Sequence, residues 1–203
     1  MREMERYLDL FPVPFKIIGN WIVDQGGSGE FAMMSQWESQ TQRKEALMKY
    51  MTDPGFEFYL SRIGPMCHTF HKNTLRACPG FEMSIPSKPS EYEMVMYRFK
   101  HEGQSTEVLF TDMGDMASDL RSHMAKLGPD TGGVVGAWFT EYGTPGDMAV
   151  VYHYPDMQWR ENVFWPSMVS GDFKKTVETW GKKLDKVTNR SLIVVPNQQV
   201  LLK

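Results

Sequence analysis

The chain has 203 residues, of which 41% are hydrophobic and 23% charged, and it contains 16 Met but only two Cys. This ordinary globular composition excludes disordered, collagen-like and disulfide-framework proteins. The 22 Lys and Arg against 25 Asp and Glu give a formal charge of −3, so we expect no nucleic-acid partner, which would favour a basic surface. No stretch of about 18 apolar residues occurs, so we expect no transmembrane helix.

The first fifteen residues, MREMERYLDLFPVPF, are typical of the last turns of a helix that Pro12 and Pro14 terminate. They contain no apolar core of a signal peptide, and Glu3, Glu5 and Asp9 are unlike the acid-poor presequences of mitochondria. We therefore predict no targeting peptide in this sequence.

The second half of the chain gives the clearest series of elements. Its aromatic and apolar residues predict a strand at 92–99, and methionines and leucines at helical spacing predict a helix at about 105–127. The elements that follow are strands 133–140 and 147–154, a helix 157–187 broken near 170–172, and a strand 191–195. This βαββαβ order is that of a ferredoxin-like unit.

An internal repeat relates the two halves of the chain. Shifted by 117 residues, 17–79 aligns with 134–196 without a gap and with 11 identities, whereas composition alone would give roughly four. Gly19 and Trp21 fall on Gly136 and Trp138, and we expect each glycine to make room for neighbouring bulk.

The repeat predicts the fold class. It is α+β, with two ferredoxin-like repeats that form an intrachain α/β barrel, helices on the outside and an apolar interior rich in Trp and Met. The methionines expected to face the core are Met33, Met34, Met94, Met96, Met113, Met116, Met124 and Met148.

The first repeat lacks its first strand, which would lie some 18–25 positions before Met1. Either another chain supplies this strand or the sequence is shortened at its N-terminus. We favour shortening, which would also have removed any targeting peptide. We assign residues 1–79 to the first repeat, 80–91 to a linker rich in Pro and Ser, and 92–203 to the second repeat.

Two motifs resemble ligand sites but have simpler structural interpretations. Residues 26–29, Gly-Gly-Ser-Gly, join two strands and do not open a helix, so they predict a hairpin turn and not a phosphate site. Cys67, His68, His71 and Cys78 are the residue types of a zinc site. The second repeat has apolar residues at both cysteine positions, so we predict buried cysteines and no metal.

Two charged helix faces are predicted to point to solvent. Asp112, Asp115 and Asp119 form an acidic row opposite an apolar stripe. A helix over 173–190 has a basic face opposite a core-facing stripe of Phe173, Val177, Trp180, Leu184 and Val187. Its basic residues are Lys174, Lys175, Lys182, Lys183, Lys186 and Arg190.

The repeat also places two polar residues at equivalent positions of its two copies. His153 falls on Gln36, each in the third strand of its repeat and on the face that carries an alanine. Such a pair could point into a shared cavity and bind or deprotonate a ligand, or it could lie at a strand end in water.

From 17 to 203 the chain resembles the NIPSNAP family, whose members carry two repeats of the dimeric α/β-barrel type. The resemblance rests on Gly19-Asn20-Trp21, Gln36-Trp37, Tyr92-Glu93, and on the segments 53–58, 136–143 and 151–154. Val95 replaces an arginine usual in the family, and His101-Glu102-Gly103 replaces its Lys-Pro-Gly. The last helix of the second repeat also lacks the family's paired Trp-Arg pattern.

The resemblance implies a mitochondrial matrix protein that acts through contacts with other proteins, including autophagy receptors recruited to damaged mitochondria. It supplies no catalytic residue and no cofactor. We therefore favour a non-enzymatic adaptor. The alternative is a small-molecule-binding or cofactor-independent, monooxygenase-like α/β barrel, with a site between its sheets at Trp21, Gln36, Trp138 and His153. The sequence leaves the partner, the ligand and the oligomeric state open.

Overall fold

The computed structural model describes residues 16–25, 30–66, 74–84, 86, 90–128, 132–142 and 146–194. The strands are β1 (Lys16–Gln25), β2 (Phe31–Gln36), β3 (Thr74–Ala77), β4 (Glu91–Phe99), β5 (Gly133–Tyr142), β6 (Asp147–Tyr154) and β7 (Leu184–Val194). The helices are α1 (Gln40–Met51), α2 (Pro54–Ile63), α3 (Thr106–Lys126), α4 and α5 (Lys174–Lys183). Helix α4 consists of the α-helical segments Met157–Trp159 and Trp165–Val169 on either side of a π-helical turn, Arg160–Phe164. A short 3₁₀ turn, Gly64–Met66, follows α2. The predictions for the first fifteen residues, the loop 26–29, and Cys67, His68 and His71 lie outside the described residues.

The described chain divides into two compact units. Unit 1 holds residues 16–20 and 32–66, and unit 2 holds 21–25, 30–31 and the described residues from 74 to 194. In unit 2 the strand order is β1-β7-β4-β6-β5-β3, with every neighbouring pair antiparallel, and β2 is the neighbour of β1. The assignment of residues 80–91 to a linker between repeats stays a prediction.

The second repeat has the ferredoxin-like arrangement. Its four strands lie in the order fourth, first, third, second, as β7-β4-β6-β5, with α3 and the two later helices in the crossovers. The predicted fold class is therefore confirmed.

Helix α3 forms because its local sequence supplies both a cap and an apolar stripe. The Ser105 side chain accepts a hydrogen bond from the Val108 backbone N–H, which satisfies one of the free donors of the first turn. Its buried residues, at spacings of three and four, pack against Val95, Tyr97 and Phe99 of β4 in one apolar core. This core lies on one side of the unit 2 sheet.

The element bounds confirm the internal repeat. Adding 117 to the bounds of β1 gives 133–142, the bounds of β5. The same shift places α1 on α4 and β3 within β7.

The structure corrects the prediction for the end of the chain. Helix α5 ends at Lys183, and Lys186 and Arg190 lie on strand β7, which pairs with β4 from Leu184 onward. The predicted basic helix face of six residues is therefore wrong. Pairing along nearly the whole of β4 outweighs the helical spacing of the apolar residues, and Val187 and Thr188 are β-branched residues that favour a strand.

Two smaller predictions also differ from the structure. The acidic row on α3 faces α5 in part, because Asp112 accepts a hydrogen bond from Lys183 Nζ at 2.7 Å and Asp119 accepts one from Trp180 Nε1 at 2.9 Å. Met33, expected in the core, is 49% exposed.

Candidate functional site

One side of the unit 2 sheet carries most of the residues predicted to form a site. Strand pairing places His153 of β6 beside Tyr92 of β4, and Trp138 of β5 beside Ala149 of β6. Side chains alternate along a strand, so residues 149 and 153 point to the same side. We call this side, opposite the α3 core, the His153 face.

Trp21 lies on the same face. It pairs with Val194 of β7, two residues beyond Leu192, and Leu192 in turn pairs with Tyr92. Trp21 is 3% exposed and Trp138 is 8% exposed. Gln36, the fourth predicted residue, is exposed at the end of β2 in unit 1. The pocket predicted for these four residues stays a prediction.

Two glycines of β5 make room for the large side chains of this face. A Cβ atom on Gly133 would lie 2.7 Å from His153 Nε2, and a Cβ atom on Gly136 would overlap the indole ring of Trp138. We expected Gly136 to make room for a large neighbouring side chain, and that side chain is Trp138 of the same strand. The imidazole and the indole rings both lie close to the strand that carries these glycines.

Two polar groups on the His153 face have no hydrogen-bond partner among the described residues. They are the Thr140 hydroxyl, in a side chain that is 8% exposed, and Arg190 Nε. Arg190 also donates through Nη1 to Glu30 at 2.7 Å. An unsatisfied buried polar group costs about 1–3 kcal/mol, so such groups are usually met by a ligand or water.

Burial fixes the protonation of the two titratable groups that pair across β4 and β6. It lowers the pKa of the half-buried His153 imidazole below its usual value, so this ring is neutral at pH 7 and offers one donor and one acceptor. Burial raises the pKa of the Tyr92 phenol, which therefore keeps its proton. Aromatic and methionine surface with a few convergent polar groups is typical of a small-molecule site.

Sequence reasoning missed a buried ionic cluster on the other side of the sheet. Glu93 of β4, 2% exposed, accepts hydrogen bonds from Tyr154 Oη at 2.8 Å and from Arg160 Nε at 3.0 Å. Arg160 also pairs with Glu93 through Nη2 and lies over the Trp165 ring, 5.2 Å from its centroid. Arg160 opens the π-helical turn of α4, so the cluster fastens this turn to β4. The one sign of this cluster in the sequence is that the 117-residue shift aligns Arg160 with another arginine, Arg43.

A tyrosine pair extends this polar region within the core. The hydroxyls of Tyr97 and Tyr152 are 2.8 Å apart and share a hydrogen bond. Burial and the Glu93 carboxylate raise the pKa of Tyr154, and burial raises those of Tyr97 and Tyr152. All three stay protonated, so we interpret the cluster as a structural element and not as an acid–base pair.

The described residues contain neither a metal-binding cluster nor a membrane-spanning helix. Among the described residues, no group of three or more His, Cys, Asp or Glu side chains could hold a metal ion. Cys78 is buried with a free thiol. No helix within the described ranges is long and apolar enough to cross a membrane.

Comparison with known proteins relates the chain to others by structure. No protein-family model matches it, and no curated protein matches its sequence. A proposed monooxygenase from Lactobacillus acidophilus superposes with a TM-score of 0.62 at 9% identity, covering 95% of this chain and 84% of that one. A proposed monooxygenase from Fusobacterium nucleatum gives 0.61 at 6% identity, with 95% and 83% covered.

A NIPSNAP-family protein of unknown function from Agrobacterium tumefaciens also matches in part. Its TM-score is 0.38 at 17% identity, covering 53% of this chain and 91% of that one. At these identities the two longer matches establish a shared tandem ferredoxin-like fold. Function must therefore be argued from the residues of this chain.

Proposed function

We propose that the protein binds a small, largely apolar molecule on the His153 face of unit 2. The observation that carries the proposal is Arg190 Nε, which has no hydrogen-bond partner among the described residues and lies in the same row across the sheet as Gly136. A ligand whose polar end meets Arg190 would satisfy this group while its apolar body packs against the Trp138 ring, which lies beside Gly136.

In this proposal His153 orients the ligand and can take a proton from it. A neutral imidazole is the form that a general base needs at pH 7, and burial keeps His153 in that form. Proton abstraction at a bound carbon or hydroxyl is the first chemical step that this face supports. The fold that the chain shares with the two proposed monooxygenases is compatible with this role.

The first experiment is native mass spectrometry of the purified protein, which should show a bound small molecule at up to one per chain. His153→Ala and Trp138→Ala should each release it or lower its occupancy. His101, exposed on the surface, gives the matched control His101→Ala, which should keep it. A ligand retained equally by His153→Ala, Trp138→Ala and the control would contradict the assignment of the site.

A second measurement covers the case in which the ligand is lost in purification. Trp138 and Trp21 report on this face, so their fluorescence should change when planar aromatic carboxylates and phenols are titrated in. The change should be absent in His153→Ala. A panel that leaves the emission unchanged would refute binding of this class.

A second candidate function is a protein-binding adaptor of the NIPSNAP type in mitochondria. Apart from the resemblance, it is favoured by apolar side chains of α2 that face solvent, with Phe58 62% and Leu60 45% exposed. Purified autophagy receptors should bind the protein, and Phe58→Asp should abolish binding. Fractionation of cells expressing the full-length protein tests the mitochondrial location.

A further inference from the structure

Two pairs of consecutive residues connect the two sides of the unit 2 sheet. Tyr92 and Glu93 follow each other on β4, His153 and Tyr154 follow each other on β6, and Tyr92 pairs with His153. Tyr92 and His153 point to the His153 face. Glu93 and Tyr154 point to the other side, where the Tyr154 hydroxyl donates to the Glu93 carboxylate at 2.8 Å. A contact that holds Glu93 and Tyr154 therefore also fixes the backbone that carries Tyr92 and His153.

Arg160 joins this part of the sheet to helix α4. Its Nε donates to the Glu93 carboxylate at 3.0 Å, and its Nη2 forms an ion pair with the same carboxylate. The side chain of Glu93 is 3% exposed and that of Arg160 13% exposed, so water screens the contact little. Arg160 is the first residue of the π-helical turn, and Trp159 directly precedes it. The ion pair therefore determines where Trp159 lies relative to β4.

The Trp159 indole packs against the residue that precedes β5. Its ring lies 6.0 Å from the Tyr154 ring, measured between centroids. A Cβ atom on Gly132 would lie 3.1 Å from Trp159 Cζ3 and 2.9 Å from the carbonyl oxygen of His153. Gly132 thus occupies a narrow gap between the indole and the His153 backbone, and the position of Trp159 limits how far the start of β5 can move.

The start of β5 in turn encloses the His153 ring. Gly133, the first residue of β5, lies so close that its Cβ atom would be 2.7 Å from His153 Nε2. Tyr92 is the titratable side chain that pairs with His153 from β4, and burial keeps its phenol protonated and neutral. Burial also lowers the pKa of His153. How closely β5 covers the imidazole therefore affects the proton affinity of His153.

We propose that Arg160 is a positioning residue for His153. Held by Glu93, Arg160 keeps Trp159 against Gly132, and this contact keeps the start of β5 over the imidazole. Without the ion pair the indole moves away, β5 loosens and water reaches the ring. The inference rests on the proposed function for what His153 does, and it adds the residue that holds the ring in place and keeps it neutral.

The test is a pH titration of the histidine Cε1–H resonances of the full chain by NMR. The resonance that disappears in His153→Gln belongs to His153. Arg160→Met should raise the pKa of His153 toward its ordinary value by about 0.3 unit or more, about twofold in proton affinity, because hydration favours the charged imidazole. Arg160→Lys keeps a cation beside Glu93 and should raise the pKa less.

The double variant Glu93→Gln, Arg160→Met separates positioning from stability. It leaves no uncompensated buried charge, so it should stay folded even if Arg160→Met does not. It also has no ion pair to hold the π-helical turn, so the pKa of His153 should remain raised. The matched control is Met113→Ala in the α3 core, where Met113 is 1% exposed. This truncation lowers stability but leaves the contacts of Trp159 intact, so the pKa of His153 should not change.

Trp159→Ala tests the intermediate contact. It should raise the pKa of His153 as Arg160→Met does, and the two changes combined should raise it little further, because both act through the same contact.

Three results would overturn the proposal. The first is an unchanged pKa of His153 in the double variant. The second is an equal rise in Met113→Ala, since the shift would then follow from lost stability alone. The third is a combined variant of Trp159 and Arg160 whose shift equals the sum of the single shifts. The titration requires no ligand. A chain that binds no small molecule would therefore contradict the proposed function, while the pKa of His153 would still decide the role of Arg160.

Discussion

The buried pair of Glu93 and Arg160 allows a quantitative test of how unit 2 holds α4 on its sheet. The side chain of Arg160 is 13% exposed and that of Glu93 3% exposed. Arg160→Met removes the guanidinium and leaves a buried carboxylate with a single hydrogen bond, from Tyr154. Breaking a buried pair from one side typically costs about 3–5 kcal/mol, which corresponds to a fall in Tm of about 6–20 °C for a chain of this size.

Urea denaturation followed by circular dichroism gives the free energy of unfolding of each variant. The double variant Glu93→Gln, Arg160→Met should recover most of the loss, because no uncompensated charge stays buried. The matched control is Arg76→Met, the same substitution at an arginine whose side chain is 63% exposed and pairs with Glu141. An ion pair at such an exposed position predicts a loss below about 1 kcal/mol.

Additive behaviour would refute this reasoning. If Arg160→Met costs no more than Arg76→Met, the burial of the pair contributes nothing to stability. If the double variant loses as much as the two single variants summed, the residues act separately. Either result would show that the π-helical turn is held by Phe164 and its apolar neighbours alone.

The remaining predictions concern packing, pH and thiol chemistry. Gly136→Ala should cost about 1–3 kcal/mol and shift tryptophan emission, because its Cβ would displace the Trp138 ring. Gly114→Ala, in open space within α3, should stabilise by up to about 1 kcal/mol in the same urea assay. Burial lowers the pKa of His123 and of His153. Their contribution to stability is therefore complete above about pH 6.5 and is lost as the pH falls below it, by at most about 1.4 kcal/mol per pH unit for each histidine. Replacing both histidines by Gln should flatten this dependence, and an unchanged slope would contradict it. Burial raises the pKa of Cys78 to about 11. In a variant with the other cysteine replaced by serine, Ellman's reagent should therefore react with the thiol only after unfolding, and rapid reaction of the native protein would contradict its burial.

Local sequence patterns were sufficient to predict most elements of the second repeat. The predicted strand 92–99 begins one residue later than Glu91–Phe99, and the predicted helix 105–127 is one residue longer at each end than Thr106–Lys126. Their apolar spacing acts within a few residues of the chain. The repeat then extended this layout to the first half of the chain without further information.

The candidate site could be predicted only in part. The repeat singled out His153, and the alternation of strands placed it with Trp138 on one side. The sequence could not show that the Thr140 hydroxyl is buried without a hydrogen-bond partner among the described residues, since this depends on everything packed around β5. Nor could it show that burial keeps His153 neutral.

By itself the sequence determined the 117-residue repeat, the βαββαβ order and the apolar stripes, because each depends on residues close together in the chain. Only the tertiary structure decided that β7 begins at Leu184, where pairing with β4 outweighs helical spacing. It alone joined Glu93 to Arg160, 67 positions apart, and turned Asp112 toward Lys183. Such contacts form between residues that no local pattern relates, and folding alone brings them within hydrogen-bond distance.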